Sequence, residues 1–266
     1  RVLFRSHFDE ASGTTSADST TNANTATVSG GVTLGVSGKI GKAASFNGST
    51  GYESVSSIGS GGYNQMTIAG WIYPTSFTNN ASGLSAILAS SSWVTNAMHV
   101  NINSTGYLSL AVNGSTDGTG TVYPGATTPF NLNQWQHFAI AYDATAKTVS
   151  YYINGTLINT ASYVTAVSVT TGAARIGSWS GQARFLSGSL DDLAMWNRTL
   201  SASEISQLAG LGGGLTNSLV GLWNFNETSG TSAIDSSGNG NNGTYTGGYT
   251  LGVSGQLNKS AEFNGT

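Results

Sequence analysis

Hydrophobic and polar residues alternate with period two along much of the first 200 residues of this chain. In Met66–Tyr73, Met66 and Ile68 fall on one face of an extended backbone and Trp71 falls on the other, as in a half-buried strand. Six more runs share this pattern: Ala86–Ser90, Met98–Ile102, Tyr107–Val112, Gln136–Tyr142, Thr148–Ile153 and Leu190–Trp196. Each run has the length of a strand, so the pattern predicts an all-β protein.

Turn sequences separate these runs. Asn113-Gly114 and the segment Asp143–Lys147 each stand between two predicted strands, and Asn154-Gly155 has the form of a two-residue hairpin loop. Many short strands joined by tight turns are typical of an antiparallel β-sandwich. We therefore expect two antiparallel sheets packed face to face.

A single short helix interrupts the strand pattern. Ser201 and Glu204 have the spacing of a capping box, which predicts a helix from Ser201 to about Leu208. The glycine-rich run Gly210–Gly214 then ends it and forms a flexible junction. This places one module at residues 1–210 and a junction at 211–217.

The beginning of the chain recurs at its end. Phe8–Ser49 and Phe225–Thr266 align without a gap at an offset of 217, with 23 of 42 positions identical. We therefore expect residues 218–266 to be the truncated start of a second, covalently linked module, too small to bury a core of its own. Trp223 of the second copy corresponds to Ser6 of the first. Because of this mismatch, residues 1–6 are suspect as part of the module, and we assign them no function.

Composition excludes several classes of partner. Charged residues make up 8% of the chain, glycine contributes 37 residues, and the net charge is −3. No basic tract supplies the electrostatic footprint that nucleic-acid binding needs. No run approaches the roughly 20 apolar residues of a membrane-spanning helix, so membrane insertion is not expected. The absence of cysteine excludes disulfides and cysteine-based metal sites, and it is compatible with a secreted bacterial protein.

Five segments in sequence carry a family resemblance. They are Phe8–Gly13 with Asp18-Ser19, Ala44–Gly48, Asn133–Asp143, Val149–Gly155, and Gly188–Ser201 with Ser203–Ile205. Their order and spacing resemble those of laminin-G-like domains of the concanavalin-A-like jelly-roll superfamily, across roughly residues 7–208. The resemblance implies a jelly roll of two stacked antiparallel sheets and a binding or adhesion role in extracellular proteins. It also implies one calcium ion near a sheet edge.

Catalysis is not supported by the acidic residues. Glycoside hydrolases of this superfamily fold carry a Glu-x-Asp-x-x-Glu strand, which sets two carboxylates on one face. No such strand is present, and none of the five glutamates pairs with an acidic residue at i+2 or i+4: Glu10, Glu53, Glu204, Glu227 and Glu262. The three histidines form no triad-like set. The sequence therefore predicts a protein that is not an enzyme.

Calcium has candidate ligands in two places. The loop Asp18–Asn24 offers Asp18, Asn22 and Asn24, and the second copy repeats this spacing as Asp235, Asn239 and Asn241. On the last strand, Asp191 has the parity of Leu193 and Met195, so a core-facing Leu193 would take Asp191 inward. A buried carboxylate can be offset by a hard cation with oxygen ligands, and Asp191 or Asp192 would then join Asp18. The alternative is that Asp18 begins an Asx-turn and Asp191 accepts backbone hydrogen bonds.

Aromatic residues in polar loops are the candidates for ligand binding. Trp93 and Trp179 stand in Ser/Gly-rich stretches, where a flat ring can present an apolar platform beside amide and hydroxyl groups. Their weaker neighbours are Tyr123, His99 and Asn101. The alternative is that each tryptophan caps the edge of the core. Trp71, Trp135, Trp196 and His137 lie within strand or family segments, and we expect them to be packing residues.

Two functions remain open. The first is a non-catalytic carbohydrate-binding module that anchors an extracellular or cell-surface protein to a polysaccharide or glycoconjugate. The second is a structural or adhesive repeat that acts as a spacer or binds protein. Tandem modules suit both functions, because linked copies raise avidity and stacked copies add length.

Overall fold

A computed structural model of the chain describes residues 1–59, 61–77, 83–116, 125–181, 183–210, 223, 225–235, 240–255 and 259–265. The chain divides into two compact units, Arg1–Ala209 (unit 1) and Gly210–Thr266 (unit 2). The strands of unit 1 are β1 (Val2–Ser6), β2 (Thr15–Ser16), β3 (Ala26–Ser29), β4 (Val32–Ser37), β5 (Lys42–Asn47), β6 (Tyr52–Val55), β7 (Gly62–Tyr63), β8 (Gln65–Ser76), β9 (Leu84–Ser90), β10 (Met98–Asn103), β11 (Leu108–Val112), β12 (Gln136–Asp143), β13 (Thr148–Ile153), β14 (Thr156–Ser162), β15 (Val169–Thr170), β16 (Ala174–Ile176) and β17 (Ser187–Trp196). The helix α1 spans Ala202–Gly210. Unit 2 contains β18 (Ser232–Ala233), β19 (Gly243–Thr244), β20 (Tyr249–Ser254) and β21 (Lys259–Phe263).

The strands of unit 1 form two large antiparallel sheets. Sheet A has the order β14-β13-β12-β8-β17-β5-β4, with β1 added beside the second half of β17. Sheet B has the order β11-β10-β9-β16-β6-β3-β2, and β7 pairs separately with β15. The prediction of an all-β antiparallel sandwich with one short helix is therefore confirmed.

Inward-facing side chains of both sheets form a single apolar core. Phe138 and Ile140 of β12 come from sheet A, and Val100 and Ile102 of β10 come from sheet B; each is at most 1% exposed. Burying one such side chain contributes about 1.5–3 kcal/mol. The alternation read from the sequence thus marks the core face of each strand.

One predicted detail of β8 is wrong. Its alternation indicates a half-buried strand, yet both faces are buried along most of its length. The reason is that α1 packs on the outer face of sheet A, where Ala69 of β8 and Ala139 of β12 meet Ile205 of the helix. Because alanine side chains are short, a helix can approach the sheet closely at these positions.

The local signals for the helix start and for one hairpin are confirmed. The backbone N–H of Ser201 donates to Glu204 Oε2 at 2.8 Å, and the N–H of Glu204 donates to Ser201 Oγ at 3.3 Å, as a capping box requires. Asn154 and Gly155 have φ angles of 49° and 77° between β13 and β14. Two successive positive φ angles are the geometry of the predicted two-residue turn.

A β-bulge in β17 overturns the predicted orientation of Asp191. Leu193 does face the core, but so does Leu190, and the pairing with β8 shifts between Asp191 and Ala194. Asp192 has a φ of 50° at this irregularity. Asp191 therefore pairs with Trp71 on the outer face of sheet A instead of sharing the core face with Leu193.

The first residues of the chain are part of sheet A. Ser6, Arg5 and Phe4 of β1 pair with Leu193, Ala194 and Met195 of β17. Phe4 is fully buried and Leu3 is 4% exposed, so β1 contributes apolar side chains to the core.

The described part of unit 2 contains two antiparallel strand pairs, β18 with β19 and β20 with β21. Phe225 and Phe263 are 39% and 58% exposed, whereas the corresponding Phe8 and Phe46 of unit 1 are 0% and 2% exposed. The apolar face that unit 1 buries in its core is therefore largely open in unit 2. Among the described residues, none of the helical segments is long and apolar enough to cross a membrane.

Candidate ligand-binding site

The outer face of sheet B carries polar residues that the strand period turns away from the core. In β10, Met98, Val100 and Ile102 face inward, so His99 and Asn101 face outward. The strand pairing aligns His99 with Ala89 of β9, and Ala89 in turn with Arg175 of β16. Because the side chain of Ala89 is short, the imidazole of His99 and the guanidinium of Arg175 stand above the sheet on either side of Ala89.

The loop between β9 and β10 brings Trp93 over this face. Asn113 Nδ2 donates to the carbonyl oxygen of Trp93 at 3.2 Å, and the N–H of Asn96 donates to the carbonyl of Asn113 at 2.9 Å. Asn96 has a φ of 68°, which reverses the chain before β10 begins. Two asparagines thus hold the backbone of the tryptophan, while its indole remains half-buried.

Trp179 is presented from the other side by a narrow hairpin. Its N–H donates to the carbonyl of Ala183 at 2.9 Å, and the N–H of Ala183 donates back at 3.3 Å. Ser180 and Gly181 have φ angles of 56° and 70°, so the chain reverses immediately after the tryptophan. The N–H of Gly181 donates to Ser178 Oγ at 3.1 Å, which braces the turn.

The two loops converge on His99. Its ring centroid lies 4.3 Å from that of Trp93 and 5.5 Å from that of Trp179. The Arg184 guanidinium lies 4.7 Å from the centroid of Trp179, a cation–π distance, and its Nη1 lies 3.2 Å from His99 Nδ1. Trp93, His99, Trp179 and Arg184 are called the ring cluster below.

Electrostatics keep His99 neutral. The side chain is 1% exposed, and burial together with the positive charge of Arg184 lowers its pKa to about 4, against the opposing effect of the Ser90 backbone. Because the guanidinium can only donate, Nδ1 accepts and the proton of the neutral ring belongs on Nε2. The imidazole therefore offers an N–H donor at neutral pH and carries no charge.

Several buried polar atoms at the ring cluster have no hydrogen-bond partner among the described residues. They are His99 Nε2, Trp179 Nε1 and Asn101 Oδ1. Two of them are donors and one is an acceptor, and such atoms in native proteins normally find a partner. Hydroxyl groups both donate and accept, so they suit unpartnered atoms of both kinds.

A cleft of about 180 Å³ borders the Trp93 loop. Its lining is mainly small and hydroxyl-bearing: Ser90, Ser91, Ser92, Val94, Ala97, Thr170, Thr171, Gly172 and Ala173. Arg175 Nη1 donates to Ser91 Oγ at 3.2 Å, which links this cleft to the outer face of sheet B. Val94 is 62% exposed, so the rim of the cleft also offers an apolar contact.

The structure brings most of the predicted ligand-binding residues together. Trp93, His99 and Trp179 are in contact, and Asn101 lies two residues further along the same outer face. The two tryptophans contact His99 on the outside of sheet B, and neither belongs to the cluster of side chains that forms the core. Tyr123 lies outside the described residues.

Arg184 is the cluster member that the sequence reasoning missed. It stands five residues after Trp179 in a stretch otherwise free of charge, and the chain has nine Lys and Arg residues in all. That scarcity is the signal that could have marked it. Trp71 and Trp196 are packing residues, as predicted. Trp71 meets His137 edge-on at 5.3 Å, and Trp196 packs beside α1.

The predicted metal ligands are held by hydrogen-bond donors. Asp18 Oδ1 accepts the N–H groups of Arg5 and Thr20, and Oδ2 accepts Thr20 Oγ1 and the N–H of Asn24. This is the Asx-turn alternative, and Asp235 Oδ2 of unit 2 accepts the N–H of Asn241 in the same way at 2.9 Å. Asn22 bridges Arg1 and the carbonyl of Leu3 through its amide.

The two adjacent aspartates have opposite environments. Asp192 accepts from His7 Nδ1 at 2.6 Å and Arg5 Nη2 at 3.1 Å. Burial by itself raises the pKa of Asp192, but these two contacts outweigh it, so the pKa is lowered. Asp191 is 1% exposed, and its Oδ2 accepts the N–H of Ile40 at 2.8 Å. Burial raises the pKa of Asp191 to about 7. Its Oδ1 is buried without a partner among the described residues.

Calcium binding by these aspartates stays a prediction. Asp191 Oδ1 is a buried carboxylate oxygen without a partner among the described residues. In the same part of the chain, no three His, Asp or Glu side chains are grouped so that they could hold a metal ion. A cation that binds only the folded protein raises its melting temperature. We expect a higher midpoint in excess calcium than in EDTA if Asp191 binds the ion, and an unchanged midpoint would contradict that assignment.

The sheet topology defines an antiparallel jelly-roll β-sandwich. A laminin G family model, described as the concanavalin A-like lectin/glucanases superfamily, matches residues 46–206. The chain therefore belongs to that superfamily, as its five sequence segments indicate. No curated protein matches the chain.

Solved structures share this fold at low sequence identity. Domain 4 of AbnA, an extracellular GH43 arabinanase from Geobacillus stearothermophilus, in complex with arabinotriose, has a TM-score of 0.60 at 20% identity, covering 79% of this chain and 98% of that one. The binding domain of botulinum neurotoxin serotype G has a TM-score of 0.61 at 16% identity, covering 84% and 54%. The binding domain of Paraclostridial Mosquitocidal Protein 1 has a TM-score of 0.55 at 18% identity, covering 79% and 52%. The present chain thus spans about half of each toxin domain.

Proposed function

We propose that unit 1 is a non-catalytic carbohydrate-binding module of an extracellular protein, and that it binds glycans at the ring cluster. The observation that carries this proposal is the position of His99 between two half-exposed indoles, with centroid distances of 4.3 and 5.5 Å. Indole faces match the apolar faces of sugar rings. Polar atoms without partners beside the rings, among the described residues, match sugar hydroxyls.

Two further observations support a glycan as the ligand. The hydroxyl-lined cleft continues the surface past the Trp93 loop, so a chain of sugar residues would meet hydrogen-bonding groups on both sides of that loop. At the level of the fold, one similar structure is a domain in complex with arabinotriose. The competing function, a structural or adhesive repeat, requires no ring cluster.

The test is binding of the purified chain to a glycan array and to insoluble polysaccharides. We expect Trp179→Ala and Trp93→Ala to weaken retention by about tenfold or more, because each removes a stacking ring. Trp135→Ala is the matched control: this half-buried tryptophan packs 5.6 Å from Tyr73 on sheet A, away from the ring cluster. Retention that survives both cluster substitutions, or absence of retention on every glycan, would favour the structural repeat.

A further inference from the structure

We infer that the glycan bound at the ring cluster is anionic, with a carboxylate or sulfate group on the sugar that contacts Arg184 and Arg175. This inference rests on the proposed function and specifies its ligand. The first observation is the position of the positive charges. The chain is 8% charged and has a net charge of −3, yet two of its nine positively charged Lys and Arg side chains stand on the outer face of sheet B.

Neither guanidinium has a carboxylate partner among the described residues. The ion pairs found there involve Arg5, His7 and Arg198, on the sheet A side of unit 1. Arg184 instead contacts the Trp179 ring and the neutral His99. Arg175 donates to Ser91 Oγ and to the carbonyl of Ala174, both at 3.2 Å.

Among the described residues, these contacts leave two positive charges without a compensating carboxylate in a half-buried setting. Both arginine side chains are partly covered, and the Nε atom of each is buried without a partner in the described part of the chain. A guanidinium removed from water gains most from an anion, which it can bind through a planar fork of N–H donors. Neutral acceptors and ring faces offset only part of that cost.

Arg184 belongs to the ring cluster, and the strand register places Arg175 close to it. Arg175 is aligned with Ala89, and Ala89 is aligned with His99, so Arg175 is two strands away from the histidine. Adjacent strands are about 4.8 Å apart, which makes the separation of the two backbones about 10 Å. Arg175 also lies 5.7 Å from the Tyr52 ring. A sugar stacked on the tryptophans would therefore lie close to both guanidinium groups.

Within the described residues of unit 1, no carboxylate is paired with a member of the ring cluster. The carboxylates of Asp18, Asp191 and Asp192 belong to the β1 and sheet A side, and Glu53 faces the core. The neutral state of His99 leaves the charge of the cluster to the arginines. Asp117, the one acidic residue of unit 1 outside the described residues, is tested separately below.

The experiment compares matched polymers by affinity electrophoresis and calorimetry, with the whole chain. Polygalacturonate and its fully methyl-esterified form share one backbone and differ by the charge and the ester methyl groups. A sulfated galactan and its desulfated form provide the corresponding comparison for sulfate. We expect at least tenfold tighter binding to one charged polymer than to its neutral partner. Raising the salt from 50 to 300 mM should reduce this ratio, because exposed charges are screened.

Substitutions connect the preference to the arginines. Arg184→Gln and Arg175→Gln should each bring the ratio of charged to neutral affinity towards one. Arg184→Lys should retain part of the preference, because lysine keeps the positive charge but lacks the planar fork of N–H donors. Arg198→Gln is the control for net charge, since its guanidinium pairs with the exposed Glu204 near α1. Asp117→Asn should leave the preference unchanged, and a marked increase would show that Asp117 compensates the arginine charge in the wild-type protein.

The outcomes separate this inference from the proposed function. Binding to neutral and charged polymers with equal affinity would overturn the anionic preference while leaving glycan binding intact. Absence of binding to any polymer would overturn the proposed function. A charge preference unchanged in both arginine variants would also overturn the assignment to Arg184 and Arg175.

Discussion

Gly188→Ala should destabilise unit 1 by roughly 4 kcal/mol. Gly188 lies in β17 at a φ of 143°, a conformation that residues with a Cβ rarely adopt, and this costs about 1–3 kcal/mol. A Cβ placed there would lie 2.3 Å from the carbonyl oxygen of Tyr73 and 2.8 Å from Pro74 Cα. Both are backbone atoms of the neighbouring strand β8, so relief requires movement in the middle of sheet A, at a similar further cost.

The need for glycine here follows from Pro74. Proline has no N–H to donate and breaks a ladder in the interior of a sheet. The pairing of β17 with β8 shifts between Ser187 and Gly188, directly opposite Pro74, so the two strands accommodate the proline with a bulge. A side chain at Gly188 would remove that accommodation.

Two other glycines separate the contributions. Gly13 has a similar φ of 133°, and a Cβ at that position would have no atom within 4 Å, so Gly13→Ala carries only the conformational cost. A Cβ at Gly172 would have no atom within 4 Å, and Gly172 does not have a positive φ. Gly172→Ala should therefore change stability by at most about 0.5 kcal/mol. Thermal melting should show a drop of roughly 8–16 °C for Gly188→Ala. A drop no larger than that of Gly13→Ala would show that the close approach to β8 is relieved at little cost.

The parts of the fold that could be predicted from the sequence are those set by neighbours along the chain. The Asn154-Gly155 turn requires two residues at positive φ, and the capping box requires Ser201 and Glu204 three residues apart. Strand alternation is equally local, and it identifies the core face of β10 without knowledge of its partners. These features depend on backbone preference and periodicity alone.

Features that depend on a partner strand could not be predicted. The bulge at Asp191 breaks the alternation because β17 changes partners along its length, pairing first with β5 and then with β1. The ring cluster joins residues 85 apart in sequence, as in the contact between His99 and Arg184. Only the strand order β10-β9-β16 brings them together, and a single sequence does not contain that order.

Glu53→Gln should raise the free energy of unfolding of unit 1 at pH 8 by roughly 3 kcal/mol and change it little at pH 4. Glu53 of β6 is fully buried on the core face, where its Oε1 accepts Ser16 Oγ at 2.8 Å. Burial raises the pKa of Glu53 from 4.5 to about 7; the bond from Ser16 opposes this and the nearby Glu10 adds to it. At 1.36 kcal/mol per pKa unit, ionising Glu53 in the folded protein costs roughly 3 kcal/mol.

The sign follows from proton linkage. Between pH 4.5 and 7 the unfolded chain has released the proton of Glu53 while the folded protein retains it, so the wild-type protein loses stability as the pH rises through this window. Glutamine has no proton to release and avoids the loss. Asp191, His99 and His137 also titrate abnormally, but they are present in both proteins, so the difference between the two isolates Glu53.

The repeat explains why an amide suits this position. Glu10 Oε1 accepts the N–H of Ala17, but its Oε2 is buried and has no partner among the described residues, as is also true of Glu53 Oε2. In unit 2 the corresponding Glu227 Oε2 accepts the hydroxyl of Tyr245 at 2.9 Å, and Val28 takes the place of that tyrosine in unit 1. The amide of a glutamine at position 53 would supply the missing donor.

Chemical denaturation at pH 4, 6 and 8 measures the effect, with the exposed Glu262→Gln in unit 2 as the control for removing one carboxylate. The stability gained by Glu53→Gln should grow with pH, most steeply between 4.5 and 7, whereas Glu262→Gln should show no such trend. A gain of the same size at all three pH values would mean that Glu53 does not ionise within this range. The amide would then act only through its hydrogen bonds, because hydrogen bonding between neutral groups does not vary with pH.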